Sequence, residues 1–207
     1  MLKEIKQAVV DGDMDGVIKL TNEATSQGLG AQQILDEALM PAMDIVGEEY
    51  AKGDRYIPEM LLSATVMRGA VAVLKPLLVN AKVKARGKVV IGTVARDLHN
   101  IGKDLVAMML EGAGFEVIDL GIDVTAGEFL KAAKEHSPHI LAMSALLTTT
   151  MIYMPEVIDA IRGAGLRDQL KVIIGGAPVT QGYADKIGAD GYAADAASAA
   201  KLAKSLV

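Results

Sequence analysis

Over the first eighty residues the apolar positions recur at three- and four-residue spacing. This predicts helices over about 2–10, 13–27, 31–51 and 57–80, broken by "DGD", "GLG" and "KGDR". Asp13 is placed to cap the second helix, and Pro58 falls in the first turn of the fourth, where its missing N–H does no harm. The fourth is apolar on nearly every side (Leu61, Leu62, Ala64, Val66, Met67, Ala70, Val71, Leu74), as expected of a helix packed among others. Glu59, Arg68 and Lys75 interrupt it, so it reads as a buried helix and not as a membrane span. The expected unit over 1–80 is a four-helix bundle.

A short polar and basic stretch, "NAKVKARGK", then supplies a linker at 81–87, and from Lys88 the rhythm changes. Apolar runs at 88–94, 115–120, 139–144, 171–175 and, more weakly, 190–193 alternate with helical patterns at about 102–113, 126–136, 155–164, 180–187 and 195–206. Five strands alternating with helices predict an α/β unit over 88–207, a flavodoxin-like (Rossmann-like) parallel sheet covered on both faces. The common strand order for such a unit is 2-1-3-4-5. It places a ligand crevice beyond the carboxyl ends of strands one and three, with strand four alongside.

The unusual polar and glycine residues follow those same three strands. Strand one runs into "ARDLHNIG", strand three into "SALLTTT" and strand four into "GGAPVT", while the loop after strand two, "GIDV", is comparatively plain. Each feature has an ordinary reading: His99 as a surface histidine, Asp97 as a helix cap, the hydroxyls as partners of loop backbone, Gly175 and Gly176 as a tight turn. Their convergence on one crevice argues for a shared ligand site.

Composition narrows the ligand. There are no cysteines, so thiolate metal sites, iron–sulfur clusters and disulfides are excluded. The net charge is −5, with 8 Lys/Arg against 12 Asp/Glu over 1–83 and 13 against 14 over 84–207, so no basic stripe invites nucleic acid. The charged, amphipathic N-terminus is not a secretory signal, and a cytoplasmic address without a membrane partner is expected. No glycine-rich phosphate loop follows strand one, and Ser144 lacks the glycines of a nucleophile elbow. His136 and His139 flank Pro138 at the opposite end of strand three, which leaves one loop histidine, too few for a zinc site. A metal already held by a macrocycle needs only one protein ligand, with Asp97 orienting it.

At these residues the chain resembles the cobalamin-binding domains of corrinoid methyl-transfer proteins, a resemblance shared with the cobalamin module of methionine synthase. The family pattern D-x-H-x-x-G, S-x-L, G-G reads here Asp97-Leu98-His99-Asn100-Ile101-Gly102, Ser144-Ala145-Leu146 and Gly175-Gly176, with 41 and 28 residues between the elements. Residues 50–79 are similar to the end of the family's helical cap domain. The resemblance implies cobalamin as cofactor, with His99 replacing the cofactor's own base as lower cobalt ligand, and Arg96 among the loop residues around it. It implies that Ser144, Leu146 and Thr148 line a slot for the nucleotide tail, with Gly175 and Gly176 leaving it room. Asp97, His99 and Thr150 would form a relay of ligand, carboxylate and hydroxyl; threonine stands at Thr150 where some members have serine. On the cap, Tyr56, Met60, Ser63 and Met67 are expected to share one face over the corrin's upper side.

The resemblance further implies a methyl carrier that passes through methylcobalamin, cob(I)alamin and cob(II)alamin states. It would be idle as an enzyme alone, serving a substrate-specific methyltransferase, a methyl-acceptor methyltransferase and a reductive activating protein. A cobalamin-dependent sensor and an adenosylcobalamin-binding isomerase subunit are the alternatives. The sensor reading is weakened by the lack of a basic DNA-binding segment, and the isomerase reading by the helical cap.

Overall fold

The computed structural model describes residues 1–80 and 85–207. They form two compact units, Met1–Ala85 with Gly112–Gly114, and Arg86–Glu111 with Phe115–Val207. Residues 81–84 of the expected linker lie outside the described residues.

The helical unit comprises α1 (Leu2–Asp11), α2 (Met14–Ser26), α3 (Ala31–Ile34), a π-helical turn (Leu35–Leu39), α4 (Met40–Lys52) and α5 (Ile57–Asn80). Gly12 ends α1 in the left-handed region at φ 76°, and Asp13 caps α2 by accepting the Gly16 N–H at 2.9 Å. Periodicity predicts one helix over 31–51, but the structure interrupts it. Pro41 has no N–H to give the Glu37 carbonyl, and just before it the Met40 N–H bonds to the Leu35 carbonyl, five residues back. By length and composition α5 could cross a membrane, yet here it packs along α2, α4 and α1. Its buried stripe includes Met60, Ser63, Ala64, Met67, Ala70 and Leu74.

The second unit runs β1 (Lys88–Thr93), α6 (Ile101–Gly112), β2 (Glu116–Asp119), α7 (Ala126–His136), β3 (Ile140–Ser144), a 3₁₀ turn (Met151–Tyr153), α8 (Met154–Gly163), β4 (Lys171–Gly175), α9 (Gln181–Ile187), β5 (Gly191–Ala193) and α10 (Ala196–Leu206). All neighbouring pairs are parallel, in the order β2-β1-β3-β4-β5. Val90, Leu141, Met143, Val172 and Ile174 form one core with Phe129 of α7 and Val157 and Ile161 of α8. The alternate residues Val89, Ile91, Ile140 and Ala142, which point to the opposite face, are buried as well. Burial on both faces explains why the central strands read as continuous apolar runs. The register sets Thr93 beside Ser144 and Ser144 beside Gly175, so three strands end in one row.

Candidate functional site

The site starts where β1 ends. Val94 leaves the strand but is held by its N–H to the Ser144 carbonyl (3.0 Å), and the Asp97 N–H closes a turn onto the Val94 carbonyl (3.2 Å). The turn passes through Arg96, whose φ of 64° is left-handed. It aims the Asp97 side chain inward, where it is fully buried.

Four donors meet that carboxylate. One oxygen accepts the His99 ring Nδ1 at 2.7 Å and the His99 backbone N–H at 3.1 Å; the other accepts the Leu146 N–H at 2.7 Å and the Thr150 hydroxyl at 2.6 Å. Burial by itself opposes ionisation. The bonds from Thr150, Leu146 and His99 outweigh it and hold the Asp97 carboxyl down to about 2, from an ordinary 3.8. The Asp97 carboxylate can only accept, so Nδ1 of His99 carries a proton, and in the neutral ring the lone pair resides on Nε2. The ring is half exposed, which leaves Nε2 available to a ligand. Asp97 therefore does not cap α6; it fixes the tautomer of His99.

The second layer is made by hydroxyls and glycines. Thr93, fully buried, donates to the His99 carbonyl at 3.0 Å, and its oxygen lies 2.8 Å from Ser144 Oγ. The Thr93 proton being committed, Ser144 is the donor in that pair. Gly176 has φ 128°, and a Cβ there would stand 1.9 Å from the Ala145 carbonyl oxygen, so its glycine is demanded by the chain itself. Gly102 is the opposite case: a Cβ there would meet nothing within 4 Å. Past the ends of β1, β2 and β3, Leu98, Ile122, Leu146 and Leu147 on the loops, Ile101 at the start of α6 and Ile152 in the 3₁₀ turn all stand exposed. Water-facing apolar side chains gathered at one sheet edge are the mark of a binding surface.

Thr148 is exposed beside them, and Asn100 turns to Asp104 of α6 at 3.0 Å. The Arg96 guanidinium lies over the Tyr153 ring, 5.6 Å from its centre. His139 is engaged elsewhere, accepting the Lys88 N–H at 3.1 Å.

Two expectations need correction. Tyr56, Met60, Ser63 and Met67 do not form one open face. Tyr56 precedes α5, with its N–H on Glu59 at 2.8 Å and its side chain 72% exposed, while Met60 and Met67 are 1% and 3% exposed. Ser63 donates to the Val10 carbonyl of α1 at 3.3 Å, so this stripe points into its own bundle. The loop after β2 is not plain either: Asp123 accepts the Arg96 N–H at 2.6 Å and donates its own N–H to the Asp97 carbonyl at 3.0 Å. Sequence reasoning also missed Thr93 and Lys103. Lys103 is nearly fully buried, paired with Asp104 at 2.6 Å and with Asp119. For Lys103 the signal was a lysine beside Asp104 at the start of a mostly apolar helix; Thr93, in an apolar strand, gave none.

The comparisons with known proteins agree with this geometry. A B12 binding domain family matches residues 87–201, and a second family of that description matches residues 1–75. The trimethylamine corrinoid protein 2 of Methanosarcina acetivorans is 40% identical over 209 residues, covering 100% of this chain and 96% of its own. This chain belongs to the B12-binding corrinoid proteins. The family's members carry methyl groups for methyltransferase systems, and the cofactor is a corrinoid. The dimethylamine corrinoid protein of Methanosarcina barkeri is 39% identical over 208 residues, covering 100% of this chain and 97% of its own. In the structure of a methanol:cobalamin methyltransferase complex from Methanosarcina barkeri, a chain superposes with TM-score 0.87 at 32% identity, over 99% of this chain and 78% of that one.

The residues fit such a group. Among the described residues no three His, Asp or Glu gather to hold a free metal ion, whereas His99 Nε2 offers the single nitrogen that a macrocycle-bound metal requires. The apolar rim suits a flat, largely apolar ring. The open space at Gly102, where neither φ nor packing demands glycine, suits the close approach of an appended tail.

Proposed function

We propose that this corrinoid protein carries methyl groups between two enzymes and performs no substrate chemistry alone. One partner would take the methyl from a methylated amine, and the other would deliver it to an acceptor such as tetrahydrofolate or a thiol. A reductive activating protein is the third partner we infer, and the cytoplasm the compartment. The observation that carries this reading is the His99–Asp97–Thr150 chain, one imidazole nitrogen held by a buried carboxylate and the other left for a metal. When bound, the corrinoid supplies a cobalt centre that takes up and gives up a methyl group.

The chain's own residues then act on ligation. His99 presents Nε2; Asp97 holds the Nδ1 proton and keeps the ring in one orientation; Thr150 and the Leu146 N–H hold Asp97 in place. When Nε2 is not ligating, it is the atom at which this pair can take up a proton. Leu98, Ile101 and Leu146, exposed here, would offer apolar contact to the bound ring. We assign no residue as acid or base toward a substrate, since Asp97 and His99 are both committed to the metal-ligand role. The end-to-end relatives named for methylated amines support that donor class.

The test uses the full chain loaded with cobalamin and reduced, mixed with trimethylamine, dimethylamine or methanol. The visible spectrum is followed with and without a methyltransferase for each donor. Methylation is expected only with the enzyme present, and for an amine. Rapid, saturable methylation without any partner would overturn the carrier reading.

A further inference from the structure

Asp123 lies outside the motif and touches neither His99 nor the slot, yet the geometry points to it as the positioning residue that holds the cobalt-ligand loop in its working conformation. The inference rests on the reading of His99 as the metal ligand and goes beyond it to what sets that ligand's place. Among the described residues three non-glycine residues have positive φ, and two of them are Arg96 (64°) and Asp123 (55°). L side chains rarely adopt this region, so something must hold each one there.

The two hold one another's loops. The Asp123 carboxylate accepts the Arg96 N–H at 2.6 Å, and the Asp123 N–H donates to the Asp97 carbonyl at 3.0 Å. These bonds bracket the peptide joining Arg96 to Asp97, from which the Asp97 side chain departs. On the next residue of the second loop, Val124 pairs with the first loop: its N–H reaches the Thr93 carbonyl at 2.9 Å, and Val94 bridges Val124. The second loop is itself anchored, since Thr125 caps α7 in a reciprocal pair with Glu128. A fixed frame thus reaches through Asp123 to a peptide that would otherwise relax to negative φ. Such a relaxation rotates Asp97 away from its 2.7 Å contact with His99 Nδ1 and from the Leu146 N–H.

The mechanism makes a demand that a general stabilising role does not. If Asp123 acts by holding Arg96 left-handed, its carboxylate matters only while residue 96 resists that conformation. In an Arg96→Gly chain, where positive φ is unstrained, loss of the Asp123 carboxylate should have no further effect. Asp123→Gly is the informative single variant, because it removes the carboxylate and still allows φ 55°. Asp123→Asn keeps an acceptor oxygen and tolerates the left-handed region, so it should behave as the parent.

Two readouts separate the ideas. In the cofactor-free protein, the amide NMR resonances of Leu146 and His99 report the bonds to Asp97. Asp123→Gly should shift both toward the values of free amides, Asp123→Asn should not, and the shift should vanish in the Arg96→Gly background. In protein loaded with cob(II)alamin, electron paramagnetic resonance reports a histidine nitrogen on cobalt by its splitting. Asp123→Gly should reduce the split fraction at least threefold, again only when Arg96 is present. Unchanged amides in Asp123→Gly, or an equal loss with and without Arg96, would overturn the positioning role. Splitting that persists in His99→Ala would instead overturn the ligand assignment and leave the amide result standing.

Discussion

Among the described residues the buried polar side chains of the helical unit are Thr21 and Ser63, whereas those of the α/β unit are Thr93, Asp97, Lys103 and Thr150. Among the described residues the Thr21 hydroxyl has no partner, and Ser63 donates to a backbone carbonyl of α1 and accepts from Arg55, which is paired with Glu49. The α/β unit is different in kind. Thr150 and the Leu146 N–H meet Asp97, Asp97 meets His99, and Thr93 joins the His99 carbonyl to Ser144. One unit buries two hydroxyls, of which only Ser63 is joined to a partly exposed ion pair; the other encloses a connected set around a fully buried carboxylate. A buried polar network is costly when half satisfied. Its concentration at one sheet edge shows where this chain keeps a constraint that packing alone would not require.

The largest effect that would sharpen this contrast is Gly176→Ala. An alanine at φ 128° with its Cβ 1.9 Å from a backbone oxygen cannot be accommodated locally, and we expect a loss of more than about 3 kcal/mol in urea denaturation, or no folded α/β unit. The packing side of the comparison is probed by Met60→Ala, where a buried methionine is truncated. Thermal and urea unfolding should show a loss of about 2–5 kcal/mol while corrinoid affinity stays within twofold. Tyr56→Ala, at a 72% exposed position, should change stability by less than about 0.5 kcal/mol. A Met60→Ala protein of normal stability and weak corrinoid binding would break the division between the two units.

Asp97 comes next. An asparagine has one acceptor atom where the carboxylate has two, so it must leave either the His99 pair or the Leu146–Thr150 pair facing an N–H₂. We expect a loss of about 2–3 kcal/mol in Asp97→Asn. The acid limb carries the same information. The folded carboxyl titrates near 2 and the unfolded one near 3.8, so between those values the unfolded chain binds a proton that the folded chain refuses. Stability contributed by Asp97 is complete above about pH 5 and is lost as pH falls through about 4 to 2, amounting to about 2 kcal/mol. Thr150→Val should cost about 1 kcal/mol at neutral pH and move the lower end of that window upward, measurable by urea titrations across pH 2–5.

Gly102 is expected to show no loss of stability at all. With no neighbour within 4 Å and a place in the first turn of α6, Gly102→Ala should leave stability unchanged or raise it by up to about 1 kcal/mol. It should nevertheless weaken corrinoid binding by about tenfold, about 1.4 kcal/mol, because the added methyl occupies space the ligand uses. The pair Gly176 and Gly102 thus separates a glycine the fold needs from one the ligand needs.

Much of this was legible in the chain. Helical periodicity and short apolar runs are local properties, so most helices and the five strands follow from the residues that make them, and the parallel order follows from the alternation of strands with helices. The site's principal residues were legible for a related reason. In a parallel sheet the strand ends are neighbours, so Asp97, His99, Ser144 and Gly175 need only lie at or just past a strand end to lie near one another.

What the tertiary structure alone decided depends on contacts between distant segments. Nothing local marks Asp123 as the partner of Arg96, 27 residues away, or Thr93 as the tie to Ser144, 51 residues away; strand register brings them together. Nor could periodicity say which side of α5 faces inward. When nearly every side of a helix is apolar, only the neighbours it packs against select the buried stripe, and they selected the one that holds Met60 and Met67.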